Sequence, residues 1–195
     1  MIDASTVDAL LGKARSHSVW LDKPVTDEQL REIWDIAKMG PTSANCSPAR
    51  VVFVRSQKDK ERLRPALSST NIDKTMSAPV TAIVAYDTKF YDLLPTLFPR
   101  NPDMRAIFAN NPDLAAVNAF RNGTLQGAYF IVAARAVGLD VGAMSGFDNA
   151  KVDAEFFPEG KLKSNFLCNL GYADHSKLPA PVPRLTFEQA CTILP

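Results

Sequence analysis

The longest helical pattern in the chain, residues 113–137, restricts the fold more than any other stretch. It reads DLAAVNAFRNGTLQGAYFIVAARAV, and from Leu125 to Val137 it is apolar on nearly every side. A helix without a solvated face is a buried helix. In a chain of 195 residues this burial indicates packing against the chain's own sheet and against a partner subunit. Gly123 and Gly127 are spaced for the close approach of another element, and Gly138 ends the helix.

A second helix is predicted to begin after Thr26. Thr26 and Gln29 have the spacing of a capping box. Gly40 is the predicted left-handed residue after the helix, and Pro41 prevents its continuation. The predicted apolar face consists of Leu30, Ile33, Trp34 and Ala37.

Three apolar runs predict strands at residues 50–55, 80–86 and 164–171. Helical patterns cover residues 5–14 and residues 57–67, and the first of these has an apolar stripe of Val7, Leu10, Leu11 and Ala14.

Residues 88–112 contain four of the fourteen prolines and are predicted to form a loop with short helical pieces. Two interpretations of their aromatic residues remain open: the roof of a pocket, or packing beneath a loop. These residues are Phe90, Tyr91, Phe98 and Phe108.

Charge and cysteine content exclude several classes of protein. Lys and Arg number 22 against 21 for Asp and Glu, so the net charge of +1 offers no attraction for nucleic acid or an anionic membrane. The N-terminal residues lack a basic region followed by an apolar segment, and no window reaches about 18 apolar residues. We therefore expect neither a signal peptide nor a transmembrane helix. Three widely separated cysteines form no disulfide framework and favour a cytoplasmic location.

The familiar catalytic motifs are absent or misplaced. The two histidines, His17 and His175, lack the spacing of metal ligands, so no zinc site is expected. The serine in Gly142–Gly146 lies one position too late for a nucleophile elbow, and the glycines around it do not have the dinucleotide-binding spacing. Cys46 is interpreted as a small buried thiol rather than a nucleophile.

Short polar clusters remain at the ends of several predicted elements. Each residue alone has an ordinary interpretation: Asn71 as a turn residue, Lys74 as a solvated charge, and Arg15 as a dipole partner at a helix end. Together the clusters fit a ligand with a phosphate at one end and a flat heterocycle, rich in carbonyls and ring nitrogens, at the other. The clusters are 15–18, 41–45, 71–74, 143–146 and Arg184.

These clusters resemble, in the same order, the motifs of the FMN-dependent nitroreductase family, and the resemblance covers nearly the whole chain. Residues 15–18 (RSHS) resemble the family's Arg-x-Ser element, and residues 41–48 (PTSANCSP) resemble its Pro-Ser-Ser/Ala-x-Asn-x-Gln-Pro run. Asn71 and Lys74 match an Asn/Gln and a Lys ahead of the second strand, and Arg184 matches a C-terminal basic residue. Residues 138–148 nearly reproduce GLDxGxMSGFD, found in the branch of malonic semialdehyde reductases.

The resemblance implies a single α+β domain spanning residues 1–195. The implied fold is a three-layer α/β/α arrangement with a mostly antiparallel central sheet. It also implies a homodimer that exchanges C-terminal arms and holds FMN at the subunit interface, with no nucleic acid or membrane as a partner.

The resemblance further implies roles at the two ends of FMN. Arg15 and Arg184 hold the phosphate, because guanidinium groups match phosphate oxygens, and His17 assists with Ser16 at the phosphate or ribityl end. Asn71 and Lys74 face the pyrimidine edge, where a fixed cation stabilises the reduced flavin. The implied cofactor-binding residues are Arg15, Ser16, His17, Thr42, Ser43, Asn45, Asn71, Lys74, Met144, Ser145, Gly146 and Arg184.

The resemblance implies that two segments, residues 144–146 and residues 42–45, contact the flavin ring through backbone atoms or short side chains. In the segment that begins at Met144, the N–H groups of Ser145 and Gly146 point at N5 and O4, and glycine permits the close approach. Thr42, Ser43 and Asn45 reach the flavin bound mainly by the other subunit, where bulky side chains would not fit.

The chain departs from the family pattern at two positions. Ser47 replaces the usual glutamine after the asparagine, so that amide is missing. Val19 stands where some members carry a lysine, so one positive group near the flavin is missing as well.

The implied function is an oxidoreductase in which FMN, and no dedicated catalytic residue, carries the chemistry. NADH or NADPH delivers hydride to N5 and leaves, and a small carbonyl, nitro or quinone substrate takes its place, which gives ping-pong kinetics. Malonic semialdehyde, reduced to 3-hydroxypropionate, is one candidate substrate. The alternatives are a flavin-binding protein without turnover and a hydrolase without a cofactor.

Overall fold

The protein, seen here as a computed structural model that describes residues 2–194, contains one four-stranded antiparallel sheet. The order across the sheet is β1-β2-β4-β3, which makes β1 and β3 the two edges. The predicted strands correspond to β1, β2 and β4, whereas the sequence patterns do not predict β3. The strands are β1 (Ala49–Val54), β2 (Val80–Asp87), β3 (Asp140–Met144) and β4 (Leu162–Gly171).

Helices occupy most of the chain between the strands. They are α1 (Ala4–Val7), α2 (Asp27–Ala37), α3 (Gln57–Leu63), α4 (Ser69–Ser77), α5 (Leu94–Leu97), α6 (Met104–Ala109), α7 (Pro112–Ala136), α8 (Asn149–Phe156) and α9 (Phe187–Ala190). A π-helical turn at Asp8–Gly12 continues α1. Short 3₁₀ turns lie at Ser43–Asn45, Arg64–Ala66, Phe90–Leu93 and His175–Lys177.

The two faces of the sheet are covered by different helices. On one face, α2 and α7 bury a cluster that includes Ile33, Val84 and Phe130. On the other face, Leu63 of α3 and Val152 of α8 pack with the sheet, and Ile72 of α4 packs against them. The result is the three-layer α+β fold with an antiparallel central sheet that the resemblance implies.

Two glycines allow α7 to lie close to the sheet. A Cβ atom on Gly123 would lie 2.8 Å from the Cβ of Tyr86, and one on Gly127 would overlap the ring of Phe166. The predicted close approach is confirmed, and its neighbours are β2 and β4. Gly138 follows the helix with a φ of 84°, which confirms its predicted role.

The predicted burial of α7 on nearly all sides is only partly correct within one chain. Phe130, Ala133 and Ala134 are buried, but Leu125 is 40% exposed. The first half of the helix also exposes Leu114, Val117 and Phe120. The predicted helix at residues 5–14 is also only partly correct. Val7 and Leu11 on its predicted apolar stripe are exposed, and the helical structure ends at Gly12.

The predicted role of Gly40 is wrong. Among the described residues, the glycines with positive φ are Gly138 and Gly160. A side chain on Gly40 would instead overlap the ring of Tyr129, whose hydroxyl donates to the carbonyl of Pro41 (3.1 Å). Glycine is needed here because α7 packs against the end of α2, not because the backbone turns.

Residues 88–112 form the predicted short helical pieces, and their aromatic residues pack inside the fold. Phe90 and Phe108 are buried, with their rings in an edge-to-face contact at 5.0 Å. Tyr91 and Phe98 lie partly buried against the same cluster. The packing interpretation therefore holds for Phe90 and Phe108, and the roof interpretation is wrong for these two residues.

Two charged groups are buried and satisfied by neighbours. The Asp87 carboxylate contacts Arg50 (3.0 Å) and Lys161 (3.4 Å), which ties β1 to β2 and to the turn before β4. The Lys60 ammonium donates to the carbonyls of Met76 and Ala78 at the end of α4. Burial lowers the pKa of Lys60.

Within residues 2–194, no helix combines the length and the apolar character needed to cross a membrane.

The capping box of α2 gives a direct test of local stability. Thr26 accepts from the N–H of Gln29 (3.2 Å), and the Gln29 side chain accepts from the N–H of Thr26 (3.1 Å). We expect Thr26→Ala to lower the free energy of unfolding by about 1 kcal/mol, because a helix N–H loses its acceptor. Urea denaturation measures the change. Thr26→Ser, which keeps the hydroxyl, should remain close to wild type, and an equal loss in both variants would contradict the capping explanation.

Candidate functional site

The segment Arg15–His17 lies along the outer edge of β3. Ser16 forms a parallel bridge with Val141, and the N–H of His17 donates to the Val141 carbonyl (2.9 Å). Gly142 makes this contact possible, since a Cβ atom there would overlap the carbonyl oxygen of His17. Because Gly142 has no side chain, residues 15–17 can lie directly against β3.

Arg15 is partly buried and lies beside the start of the C-terminal tail. Its guanidinium donates to the carbonyls of Pro179 (2.9 Å) and Ala180 (3.2 Å). Its own carbonyl accepts from Arg135 of α7 (3.4 Å). Arg15 and His17 line the same pocket, of about 570 Å³, together with Asp8, Lys13, Arg135, Asp140 and His175.

His17 is buried, and its ring is engaged within the chain. Nε2 lies 3.2 Å from one oxygen of Asp140, and Nε2 of His175 lies 3.1 Å from the other oxygen. The two imidazole rings are 4.8 Å apart. Burial lowers the pKa of His17, so the buried ring favours its neutral form. The sequence gives no sign of this cluster, because its members are far apart in the chain.

Asn71 and Gly146 form the second group, at the end of β3. The Asn71 amide donates to the Gly146 carbonyl (2.7 Å), and the N–H of Ser68 donates to the same oxygen (3.0 Å). A Cβ atom on Gly146 would lie 2.6 Å from the Asn71 amide nitrogen and 2.8 Å from the Ser68 hydroxyl. Glycine at 146 is therefore already required by contacts within the chain.

Lys74 projects from the same helix, α4. Its carbonyl accepts from the indole of Trp20 (3.0 Å) and from the Asn169 amide (3.0 Å), which ties α4 to the sheet. Ser145 and Gly146 are exposed beside this helix. Met144 is buried, and its sulfur lies 3.6 Å from the Thr75 hydroxyl, so its side chain belongs to the core.

Thr42, Ser43 and Asn45 lie at the opposite edge of the sheet, just before β1. The N–H of Ser43 donates to Asn122 (2.9 Å), and the Asn45 amide donates to the Leu97 carbonyl (2.9 Å). The Thr42 hydroxyl accepts from the N–H of Ser47 (3.2 Å).

The backbone of this segment is strained. Ala44, Asn45 and Ser47 have φ values of 51°, 49° and 38°, a region that side chains disfavour. Cys46 between them is buried, and burial raises its pKa to about 11, which agrees with an inert thiol.

The structure brings the predicted residues together in two groups rather than one. We name the residues along β3 (15–17, 71, 74 and 144–146) the β3-edge group, and Thr42, Ser43 and Asn45 the β1-edge group. Three strand spacings separate the two edges, or about 14 Å. Arg184 joins neither group, because its guanidinium donates only to the nearby carbonyls of Val182 and Pro183 among the described residues.

Sequence reasoning missed two polar residues of α7 that hold Ser43 of the β1-edge group and the first residue of β1. Asn122 accepts from Ser43, and Gln126 accepts from the N–H of Ala49 (2.9 Å). Gln126 is 2% exposed, and its amide nitrogen is buried without a hydrogen-bond partner among the described residues. Two amides one turn apart in a largely apolar helix are the signal that could have identified them.

Gly142 allows a test of how the β3-edge group is positioned. In Gly142→Ala the new methyl group meets backbone, which cannot rotate away, so Arg15–His17 must move outward. We expect the free energy of unfolding to fall by about 1–3 kcal/mol. Urea denaturation measures this change, with Ala143→Ser, at the neighbouring exposed position, as the control. A wild-type stability for Gly142→Ala would contradict the close contact.

Comparison with known proteins identifies structures of the same fold. Three solved structures share the fold across the whole chain at low sequence identity. The ydfN protein of Bacillus subtilis, assigned as a nitroreductase, has a TM-score of 0.89 at 20% identity, covering 98% of this chain and 100% of that one. A protein of Exiguobacterium sibiricum, assigned as a nitroreductase and solved in complex with FMN, has a TM-score of 0.85 at 18% identity, covering 100% and 99%.

A protein of Staphylococcus epidermidis, assigned as an NAD(P)H:FMN oxidoreductase, has a TM-score of 0.84 at 16% identity, covering 100% of this chain and 98% of that one. At these identities the likeness establishes the fold alone. The sequence itself matches the family model described as the nitroreductase family over residues 11–172. Because that match covers most of the chain, the protein belongs to the nitroreductase family.

Proposed function

We propose that the protein is an FMN-dependent oxidoreductase that uses NADH or NADPH to reduce small carbonyl, nitro or quinone compounds. The observation that carries the proposal is the β3-edge group: an arginine-lined pocket lies at the start of β3, and Asn71, Lys74 and the exposed backbone of Gly146 lie farther along the same edge. Family membership supports it, as do the FMN bound by the Exiguobacterium protein and the assignment of the Staphylococcus protein.

The chemistry of these residues fits FMN. Arg15 offers a guanidinium in a pocket with Lys13 and Arg135, which suits a phosphate. Lys74 offers an ammonium that suits a carbonyl of a pyrimidine ring, and Asn71, whose amide nitrogen donates to the Gly146 carbonyl, would present its amide oxygen to a ring N–H. Ser145 and the side-chain-free Gly146 leave exposed backbone next to them. Arg184, on the exposed tail, would add a second guanidinium to the phosphate.

When bound, FMN supplies reversible hydride acceptance between the nicotinamide donor and the substrate. The protein's part is to hold the ring and to stabilise charge. In this proposal Lys74 lies where negative charge gathers on reduction, and the backbone N–H groups of Ser145 and Gly146 serve the opposite edge. His17 and Ser16 contribute at the phosphate or ribityl end through their position on the β3 edge. Met144 contributes through its backbone, because its side chain is buried.

We infer that the β1-edge group serves the cofactor of a second chain. Thr42, Ser43 and Asn45 precede β1, and β1 and β3 are opposite edges of the sheet, about 14 Å apart by strand spacing. A homodimer that places the β1 edge of one chain beside the β3 edge of the other would bring both groups to one ligand. Exposed apolar residues on α7 support this dimer: Leu114, Val117, Phe120 and Leu125.

The C-terminal arm gives further support to a dimer. Residues 179–194 are exposed along their whole length, and they include Leu185, Phe187 and Ile193. The free edge of β1 borders a groove of about 900 Å³ lined by Leu30, Trp34 and Phe53. We infer that the partner's arm covers this groove, because an unpaired strand edge and an exposed apolar arm complement each other.

Malonic semialdehyde is the substrate we propose first, on the resemblance of residues 138–148 to that branch. Cysteine usage still favours the cytoplasm as the location. The second candidate function is a flavin-binding protein without turnover. Val19 favours it, because a missing cation near the flavin makes the flavin harder to reduce.

Anaerobic reduction separates these two functions. We expect NADH or NADPH to bleach the FMN-loaded protein at about 450 nm. Lys74→Met should slow the bleaching by about 10- to 100-fold, because the cation that stabilises the reduced form is lost. Lys58→Met, at an exposed position of α3, is the control. An unchanged flavin band with both nucleotides would favour the flavin store, and a colourless protein after reconstitution would exclude both functions.

Complementation between two defective chains tests the shared site. Arg15→Glu damages the β3-edge group, and Ser43→Trp fills the β1-edge group, so neither homodimer should retain FMN. In a heterodimer of the two variants, one site carries both defects and the other carries neither. We therefore expect co-expressed, differently tagged chains to bind FMN in one of their two sites.

Ser43→Ala serves as the conservative control and should retain FMN. If heterodimers form but stay colourless, the site lies within one chain. If the two tags never co-purify, the homodimer itself is wrong.

A further inference from the structure

His17, Asp140 and His175 bring three metal-ligating side chains to one point. Each offers one ligand atom, and the three atoms lie within 4.8 Å of one another. They come from three separate elements: the segment before α2, the first residue of β3, and the 3₁₀ turn after β4. Both histidines present the same nitrogen, Nε2, to the carboxylate.

Two distances in this cluster match a coordination sphere. Zinc binds imidazole nitrogen and carboxylate oxygen at about 2.0–2.2 Å, so neighbouring ligand atoms in a tetrahedral site lie about 3.4 Å apart. Nε2 of His17 lies 3.2 Å from one oxygen of Asp140, and Nε2 of His175 lies 3.1 Å from the other oxygen, so each imidazole is at ligand spacing from a different carboxylate oxygen. The side chain of His175 is 66% exposed and is free to adjust to the third separation.

We propose that His17, Asp140 and His175 form a binding site for a divalent transition-metal ion of the zinc type. Two neutral imidazoles and one carboxylate are a donor set that zinc accepts, and water from the open side supplies the remaining position. None of the evidence for this metal site involves the flavin, although the site shares His17 and its pocket with the proposed phosphate end of FMN.

A hydrogen-bonded cluster without metal is the competing explanation. In that case each neutral imidazole donates from Nε2, and Asp140 accepts both, in addition to the N–H of Ala173 (2.9 Å). One carboxylate then collects three donors while both histidines use the same tautomer. With a metal ion bound, neither imidazole has to carry its proton on Nε2, because both Nε2 atoms then donate an electron pair to the metal.

The surrounding charges set the expected strength of the site. Arg15 and Arg135 line the same pocket and weaken cation binding, while the Lys13 ammonium is paired with Asp8 (2.6 Å). We expect the site to bind more weakly than a structural zinc site with thiolate ligands. Its effect would be to clamp the Arg15–His17 segment to the start of β3 and to the turn after β4.

Cobalt and zinc titrations of the full chain test the proposal. The parent protein and every variant in this test carry Cys191→Ala, which removes the exposed thiol as an alternative ligand. We expect Co²⁺ to produce visible d–d absorption, and Zn²⁺ to raise Tm, because a ligand that binds the native state stabilises it. His175→Ala should weaken binding by more than about tenfold, which is the effect of losing even an outer-shell partner.

Lys177→Ala, in the same exposed turn, is the matched control and should bind as tightly as the parent protein. The metal-free Tm of each variant establishes that it is folded, and Asp140→Asn supplies a second ligand variant. Absence of both cobalt absorption and the zinc-dependent Tm shift would overturn the proposal in favour of the hydrogen-bonded cluster. Binding that survives in both His175→Ala and Asp140→Asn would place the ion elsewhere and overturn it as well.

Discussion

The close contact between α7 and the sheet positions both halves of the candidate site. Gly123 and Gly127 let the helix lie close to β2 and β4. Polar residues of the helix can then reach the chain near the β1 edge and near the β3 edge. In the middle of α7, Asn122 and Gln126 hold the chain before β1. Near its C-terminus, Arg135 donates to the carbonyls of Leu10 and Arg15. One helix therefore holds the chain before β1 at one edge of the sheet and the Arg15 segment at the other.

This arrangement explains why one chain alone looks incomplete. The β3-edge group contains Lys74, the Asn71 amide and an arginine-lined pocket, whereas the β1-edge group offers short side chains and a strained backbone. The exposed apolar residues of α7 and of the C-terminal arm are additional surface without a partner in the single chain. A second copy provides one physical explanation for all three features.

Much of the fold could be predicted from sequence because its signals are local. The capping box at Thr26, the strand patterns and the glycine spacing on α7 depend on neighbouring residues, and all three predictions are confirmed. Gly40 was misassigned because Tyr129, which explains it, lies far away in the chain. β3 escaped detection because it is only five residues long, begins with Asp140 and has Gly142 in its middle, so its apolar pattern is short and interrupted.

For the candidate site, the sequence indicated the family and the candidate residues but not their arrangement in space. The order of the polar clusters identified the family, but their spatial division into two edges follows from strand order, which no local pattern encodes. The contacts of His17 with Asp140 and His175 depend on three separate elements meeting, so spacing rules could not find them. The prediction that Gly146 lets the backbone approach the flavin ring stays a prediction; within the chain its close neighbours are Asn71 and Ser68.

The left-handed backbone at Ala44, Asn45 and Ser47 has a consequence for dynamics. Residues with side chains held in this region cost roughly 1 kcal/mol or more each, and Asn122 and Gln126 hold the segment in place from α7. Strain of this kind is released by any local opening, so the segment should unfold at a lower free energy than the sheet beside it. Amide hydrogens there would exchange with solvent while those of β2 remain protected, and a molecule resting on the segment would slow that exchange.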